Sequence, residues 1–282
     1  MPPKTRIARL TSTVLDLMDA AQSAGHFKKV VALGGQVEAD LPLIHGMDWQ
    51  CVEHNWLELM SFAFASMGQL EVAFPYFERL VDMSDAVHEF RAQAVTLVNL
   101  GKASIMAKIE SKHGTAEQMF EKVRNIGIAG GWLDLESNAC EGLSSLALTD
   151  GRAMEAMELA QQACVAADLM LDADFGSDHT RANAAQSVLK CSDLTSPRFD
   201  ENILKHYQVA AEKIFGEFDS IHLVDVHDKW ALRHYAMLRK WECEEACYEV
   251  LKLAASPRMQ QNGAAAMLAK NATATLEMVR AW

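Results

Sequence analysis

Little in this sequence interrupts a helix. The 282 residues contain only six prolines, and the apolar half of the composition is mainly Ala, Leu, Met and Val, a mix that favours helices over strands. Long apolar runs are missing as well: no stretch approaches the ~20 apolar residues that cross a bilayer, so no membrane insertion is expected. No apolar run of the secretory type follows the basic residues Lys4, Arg6 and Arg9, and Asp16 and Asp19 argue against an organelle transit peptide. These absences lead us to expect a flexible N-terminus over residues 1–9 and a cytoplasmic protein.

Positive charge is scarce too. The 26 Lys and Arg face 38 Asp and Glu, a formal charge of −12 distributed along the whole chain. Such a surface excludes nucleic acid as a partner, because phosphates must be neutralised by Lys and Arg.

Residues for chemistry are also few. The six cysteines, Cys51, Cys140, Cys164, Cys191, Cys243 and Cys247, include no pair at the two-residue spacing of zinc and redox motifs, and they read as small buried apolar groups in a reducing compartment. There is no Gly-x-Ser-x-Gly elbow and no phosphate-cradling glycine loop, so no catalytic residue, enzyme activity or cofactor is assigned. The stretch Asp172, Asp174, Gly176, Asp178 is a poor calcium loop. Its glycine falls one place early and Asn183 stands where a bidentate Glu is needed, so a turn with Ser177 capping the next helix is expected. The densest histidine region holds His222, His227 and His234, with Asp225, Asp228, Cys243 and Cys247 nearby. Its spacings would permit a metal, but His234 and Cys247 fall at or beside the helix packing seam. No metal is assigned, and a metal-dependent regulator ranks below the other readings.

What is present is a repeat. Its clearest copy is Leu57, Met60, Ser61, Phe64, Gly68, Ala73, Phe77 and Leu80, two helical stripes joined at a glycine. Forty-three residues earlier the same offsets give Val14, Leu17, Met18, Ala21, Gly25, Val30, Gly34, Val37 and Pro42, with Gly34 the weakest match. Forty-three residues later they give Leu100, Ala103, Ser104, Ala107, Ala116, Phe120 and Val123, and Thr115 with Gln118 forms a capping box. The first helix of this copy admits a second register through Leu97, Leu100, Gly101 and Ser104. A fourth copy reads Cys140, Leu143, Ser144, Ala147, Gly151, Ala156, Ala160 and Ala163.

Two further copies are less regular. The fifth takes Ser187, Lys190, Cys191 and Leu194 as its first helix and Ala211, Phe215 and Phe218 as its second, with extra residues around Ser196 and Pro197. The sixth reads Trp230, Arg233, His234, Met237, Ala246, Val250 and Leu253, departing from the pattern at Arg233 and placing Trp241 where the glycine belongs. After Pro257, residues 259–281 form an Ala-rich amphipathic helix suited to cap the last pair. The organisation expected is therefore an array over residues 10–257 and a cap over 258–282. Small residues on facing helices, Ser61, Ser104 and Ser144 against Ala73, Ala116, Ala156 and Ala246, let each pair approach closely.

On these residues the chain resembles the tetratricopeptide-repeat (TPR) family, and its spacing of 40 to 45 residues is similar to the long repeats of kinesin light chains and Leu-Gly-Asn repeat adaptors. The resemblance implies an all-α, right-handed α-solenoid of about six antiparallel helix pairs with a C-terminal capping helix. It also implies that first helices line a concave groove in which partner peptides lie. The positions so marked are Asp19 and Gln22 in the first pair, Asn55, Glu58 and Phe62 in the second, Asn138, Glu141 and Ser145 in the fourth, and Asp228, Tyr235 and Arg239 in the sixth.

That groove is acidic and amide-lined. Amides pair with both donor and acceptor of an extended backbone, and carboxylates select basic segments, so a protein-interaction scaffold or adaptor for a basic or neutral segment is expected. The alternative is a structural subunit of a larger complex, packed through convex and terminal surfaces, which Trp282 and the last helix would favour.

Overall fold

A short connection between packed helices forces them antiparallel, and one kind of connection recurs throughout this chain. A computed structural model describes residues 3–44, 47–86, 88–171, 176–214, 221–257, 259–260 and 262–281, with side chains for all of these except 3–9 and 47–49. Phe215, Phe218, Asp172, Asp174 and Trp282, all named above, lie outside the described residues. Within them are thirteen α-helices, one short 3-10 turn and no strand. The fold is all-α, each helix packing chiefly on its neighbours in sequence.

Two compact units divide the chain, Met1–Met119 and Phe120–Trp282. The N-terminal unit holds α1 (Pro3–Ser23), α2 (Phe27–Asp40), α3 (Met47–Ser66), α4 (Leu70–Ala86) and α5 (Phe90–Ala107). Helix α6 (Ala116–Gly130) starts in this unit and lies mostly in the next. The C-terminal unit continues with α7 (Leu133–Thr149), α8 (Ala153–Asp168), α9 (Ser177–Lys190), α10 (Glu201–Ile214), α11 (His222–Ala236), α12 (Lys240–Ala254) and α13 (Gly263–Arg280). Within each unit first helices also touch the next first helix, α1 on α3 and α7 on α9, while α13 lies against both α11 and α12. This is the packing of a solenoid, in which each pair covers the apolar face its predecessor cannot bury alone. Helix α1 takes in residues from Pro3 onward, so the stretch set apart as a terminus is helical backbone from its third residue.

The turns fix the register. Gly25, Gly68 and Gly151 are left-handed, and behind each the next amide reaches back five residues: His26 to Ala21 O at 2.8 Å, Gln69 to Phe64 O at 2.9 Å, Arg152 to Ala147 O at 2.8 Å. The α11–α12 turn has the same bond, Arg239 to His234 O at 2.9 Å, with Leu238 as the left-handed residue. The sixth copy is thus set three residues earlier than the sequence pattern places it, since Leu238, not Trp241, takes the glycine's place. Its packing seam is Ala231 against Cys243, with Cys247 and Val250 below, all buried. In α5 the left-handed residue is Lys108, seven residues after Gly101, which selects the register through Leu97, Leu100, Gly101 and Ser104.

The fifth copy needs a larger correction. Helix α9 occupies Ser177–Lys190, about ten residues upstream of the helix expected from Ser187 to Leu194, and Leu194 is buried in the connection between α9 and α10. That connection is held by Arg233, itself buried: Nε donates to Glu201 Oε1 at 2.9 Å and Nη1 to the carbonyls of Leu194 and Ser196 at 3.1 and 2.7 Å. Its guanidinium also lies over the Phe199 ring at 5.5 Å. What looked like an exception to the pattern at Arg233 is the anchor of the longest described connection.

Other expectations meet the structure directly. Thr115 N donates to Gln118 Oε1 at 3.0 Å and Gln118 N to Thr115 Oγ1 at 3.2 Å, a complete capping box. Gly34 lies close under α3: a Cβ there would sit 2.2 Å from Met60 Sδ, so the Met60 side chain would have to shift, and the Gly34 carbonyl accepts from Trp56 Nε1 at 3.0 Å. Leu17, expected on the seam, is exposed. The last helix starts at Gly263, where Asn262 Oδ1 caps the amides of Ala264 and Ala265 at 2.9 and 3.1 Å.

Candidate functional site

In the N-terminal unit α3 and α4 part on one side to leave a cleft of about 950 Å³. Gln50, Glu53, His54 and Asn55 line it from α3, and Pro75, Arg79, Asp82 and Met83 from α4. Its rim is closed by the α5–α6 connection, which folds over α4. Glu78 Oε1 accepts from Ser111 Oγ at 2.8 Å and from the Lys112 amide at 3.0 Å, while Lys112 Nζ reaches Asp82 Oδ2 at 2.6 Å and His113 Nε2 lies 3.2 Å from Glu78 O. The hydrogen bond to Asp82 lifts the Lys112 ammonium above its ordinary pKa. At the inner end Glu53, 1% exposed, is ion-paired with Arg79, whose side chain is 57% exposed.

The predicted groove residues of this unit part company here. Asn55 is exposed and lines the cleft. Glu58 and Phe62 are exposed farther along α3, the Phe62 ring 6.2 Å from that of Phe27. Asp19 is exposed, and Gln22 is half-buried with its amide oxygen out of solvent and unbonded.

In the C-terminal unit the polar residues gather inside rather than along an open face. Asp225 Oδ2 accepts from Tyr207 Oη at 3.0 Å and from Gln186 Nε2 at 3.0 Å, and Lys229 Nζ lies 3.3 Å from its Oδ1. Tyr207 has one proton and gives it to the carboxylate, so its oxygen accepts from His222 Nδ1–H at 2.9 Å, which fixes the His222 tautomer. Burial pushes the Tyr207 hydroxyl well up and the His222 imidazole down to about 4. The network is suited to lock α9, α10 and α11 together.

Of the residues predicted in this unit, Glu141 is buried at 8% exposure, near enough to raise the His222 pKa against the burial that lowers it. The expectation that it lines an open groove fails for that reason. Asn138 Nδ2 donates to its own helix at Asp134 O (2.8 Å), and Ser145 is half-buried. Asp228 has its carboxyl raised by burial, partly offset by Lys229 at 3.7 Å. Tyr235 Oη reaches Met278 Sδ on α13 at 3.9 Å, and Arg239 Nη1 pairs with Glu201 at 3.1 Å. Tyr235 and Arg239 therefore join neighbouring elements rather than waiting for a ligand. Sequence reasoning missed Gln186, and His179 whose ring lies 6.4 Å from that of His222, because it set α9 in the wrong register; the helix start expected at Ser177 was the signal that could have placed them, whereas nothing in the repeat pattern marks Tyr207 on α10.

The histidine and cysteine region disperses. His234 stacks on Trp230 with centroids 5.3 Å apart, and Cys243 Sγ donates to Ala231 O at 3.3 Å. Burial raises the Cys247 thiol to about 12. Among the described residues no group of three or more His, Cys, Asp or Glu is placed to hold a metal ion, and no helix is long and apolar enough to cross a membrane. No protein-family model and no curated protein matches this chain.

Proposed function

We propose that this protein is a TPR-like helical scaffold that holds a segment of another protein, and that the α3–α4 cleft is where it does so. One observation carries the reading: beyond the seam at Ser61 and Ala73, α3 and α4 border a cleft of about 950 Å³ lined by acids, amides and short apolar stretches. Four carboxylates, Glu53, Glu78, Asp82 and Glu89, face two cations, Arg79 and Lys112, so a basic or neutral segment is the favoured occupant. The repeat pattern and the stacking of first helices support the same reading, since such arrays present surfaces to partners. None of the six cysteines is bonded to another, which fits a cytoplasmic setting.

Asn55→Trp and Ala86→Trp fill the cleft from opposite walls at exposed positions. Proteins co-purifying with the wild type from native extract should be lost with both variants. Unchanged recovery with both would overturn the cleft as the holding site.

A second reading, a structural subunit of a larger assembly, is favoured by the α11–α12 turn. There Leu238 is 76% exposed in a left-handed conformation that Gly25, Gly68 and Gly151 take in other turns, with Trp241 77% exposed beside it. Sedimentation separates the two: self-association abolished by Trp241→Ala supports it, and a monomer at all concentrations does not.

A further inference from the structure

Glu53 is a buried carboxylate whose counter-ion, Arg79, is more than half exposed. Removing a carboxylate from water is strongly unfavourable unless a cation compensates it, and at 1% exposure Glu53 requires one. Arg79 supplies it from the solvent side, and among the described residues no hydrogen-bond donor holds either Glu53 oxygen in addition. Arg79 is itself little held: its side chain is 57% exposed and it has no second ion pair among the described residues. The contrast with Arg233 is direct, since that guanidinium is buried and donates to two carbonyls and a carboxylate. Of the other acids of the cleft, Glu78 is committed to Ser111 and Lys112 and Asp82 to Lys112 and His113, while Glu89 is exposed at the rim and needs no counter-ion.

From this geometry we propose that the cleft recognises an arginine of the partner segment, which docks on Glu53 by displacing Arg79. The proposal rests on the partner-holding reading of the same cleft and names what is held. The resident group is a guanidinium, paired through one nitrogen with Glu53 Oε1, so the site already accommodates that group, and Pro75 and Met83 offer apolar surface to the methylene stem. Exchange of one guanidinium for another leaves the charge at Glu53 unchanged, so the swap avoids the penalty of baring a buried acid. Arg79 thus acts as an internal competitor that keeps the empty cleft neutral.

The test uses the full chain and two fluorescent peptide pools, one with a single fixed arginine and one with citrulline, its neutral isostere, at that position. The wild type should prefer the arginine pool, and Glu53→Gln should lose about tenfold or more of that binding. Arg79→Gln should bind the arginine pool more tightly than the wild type, and that pool should raise its melting temperature more. The opposite signs separate exchange from a structural role, and Arg79→Lys, which keeps a cation beside the buried Glu53 but lacks the guanidinium, should also bind the arginine pool more tightly than the wild type, so the test stands even where Glu53→Gln or Arg79→Gln fails to fold. Equal binding of both pools, or weaker arginine binding by folded Arg79→Gln, overturns the exchange while leaving partner holding intact. Absence of binding by either pool overturns both.

Discussion

The Cys243 thiol donates to the Ala231 carbonyl at 3.3 Å across the last helix pair, and this is the counterpart of the Ser144 hydroxyl donating to the Ala156 carbonyl at 2.7 Å in the α7–α8 pair. Both contacts join residues twelve apart in sequence, and the polar atom has moved from the first helix to the second. A single side chain of small volume thus serves the seam from either side.

Enlarging the seam should therefore be more damaging than removing its hydrogen bond. Ser144→Ala should destabilise the chain by about 1 kcal/mol, and Ala231→Leu by about 1–3 kcal/mol as the helices are forced apart. Urea midpoints with unchanged slopes would measure both. Equal effects would mean that helix approach is not limited at these positions.

Arg233 should be irreplaceable by lysine, because a single ammonium cannot reach Glu201 and two carbonyls at once. Burial acts to raise the Glu201 carboxyl, yet the guanidiniums of Arg233 and Arg239 outweigh it and hold the group below the usual range. Arg233→Lys and Arg233→Met should each be destabilised by about 2–4 kcal/mol and should open the 191–200 connection. Trypsin cleavage at Arg198 at least as slow in the variants as in the wild type would contradict this.

Much of the fold could be read in the sequence, and the errors have a common cause. Gly25, Gly68 and Gly151 announce their turns, and Ser61, Ala73, Ser144 and Ala156 their seams, since these positions tolerate few alternatives. Leu238 and Lys108 reach the same left-handed conformation without glycine, so the turns they make are silent. Helix α9 ends at Cys191 in a right-handed conformation, and Arg233, far along the chain, fixes the path from there to α10. A local pattern cannot report a connection whose partner is distant. The cleft was legible only at Asn55, because its character depends on Glu53 and Arg79 meeting between helices.

His222 should make stability fall in mild acid. Its imidazole is depressed from 6.5 to about 4, first by burial and then by His179, while Asp225 and Glu141 oppose the shift. The unfolded chain binds this proton below pH 6.5 and the folded chain does not until about 4. The contribution is thus complete above 6.5, declines as pH falls and is lost near 4, up to about 3 kcal/mol. His222→Asn keeps a donor toward Tyr207 and removes the titration, so its urea stability should vary less over that window. An identical pH dependence in the variant would contradict the assignment.

The most direct test of the account is photocrosslinking from inside the cleft. With a benzophenone amino acid at Asn55 or at Ala86, both sites should yield an adduct with the same partner protein, and the exposed Glu245 on α12 should yield none with it. Adducts that differ between Asn55 and Ala86, or that appear equally from Glu245, would contradict a cleft that holds one partner.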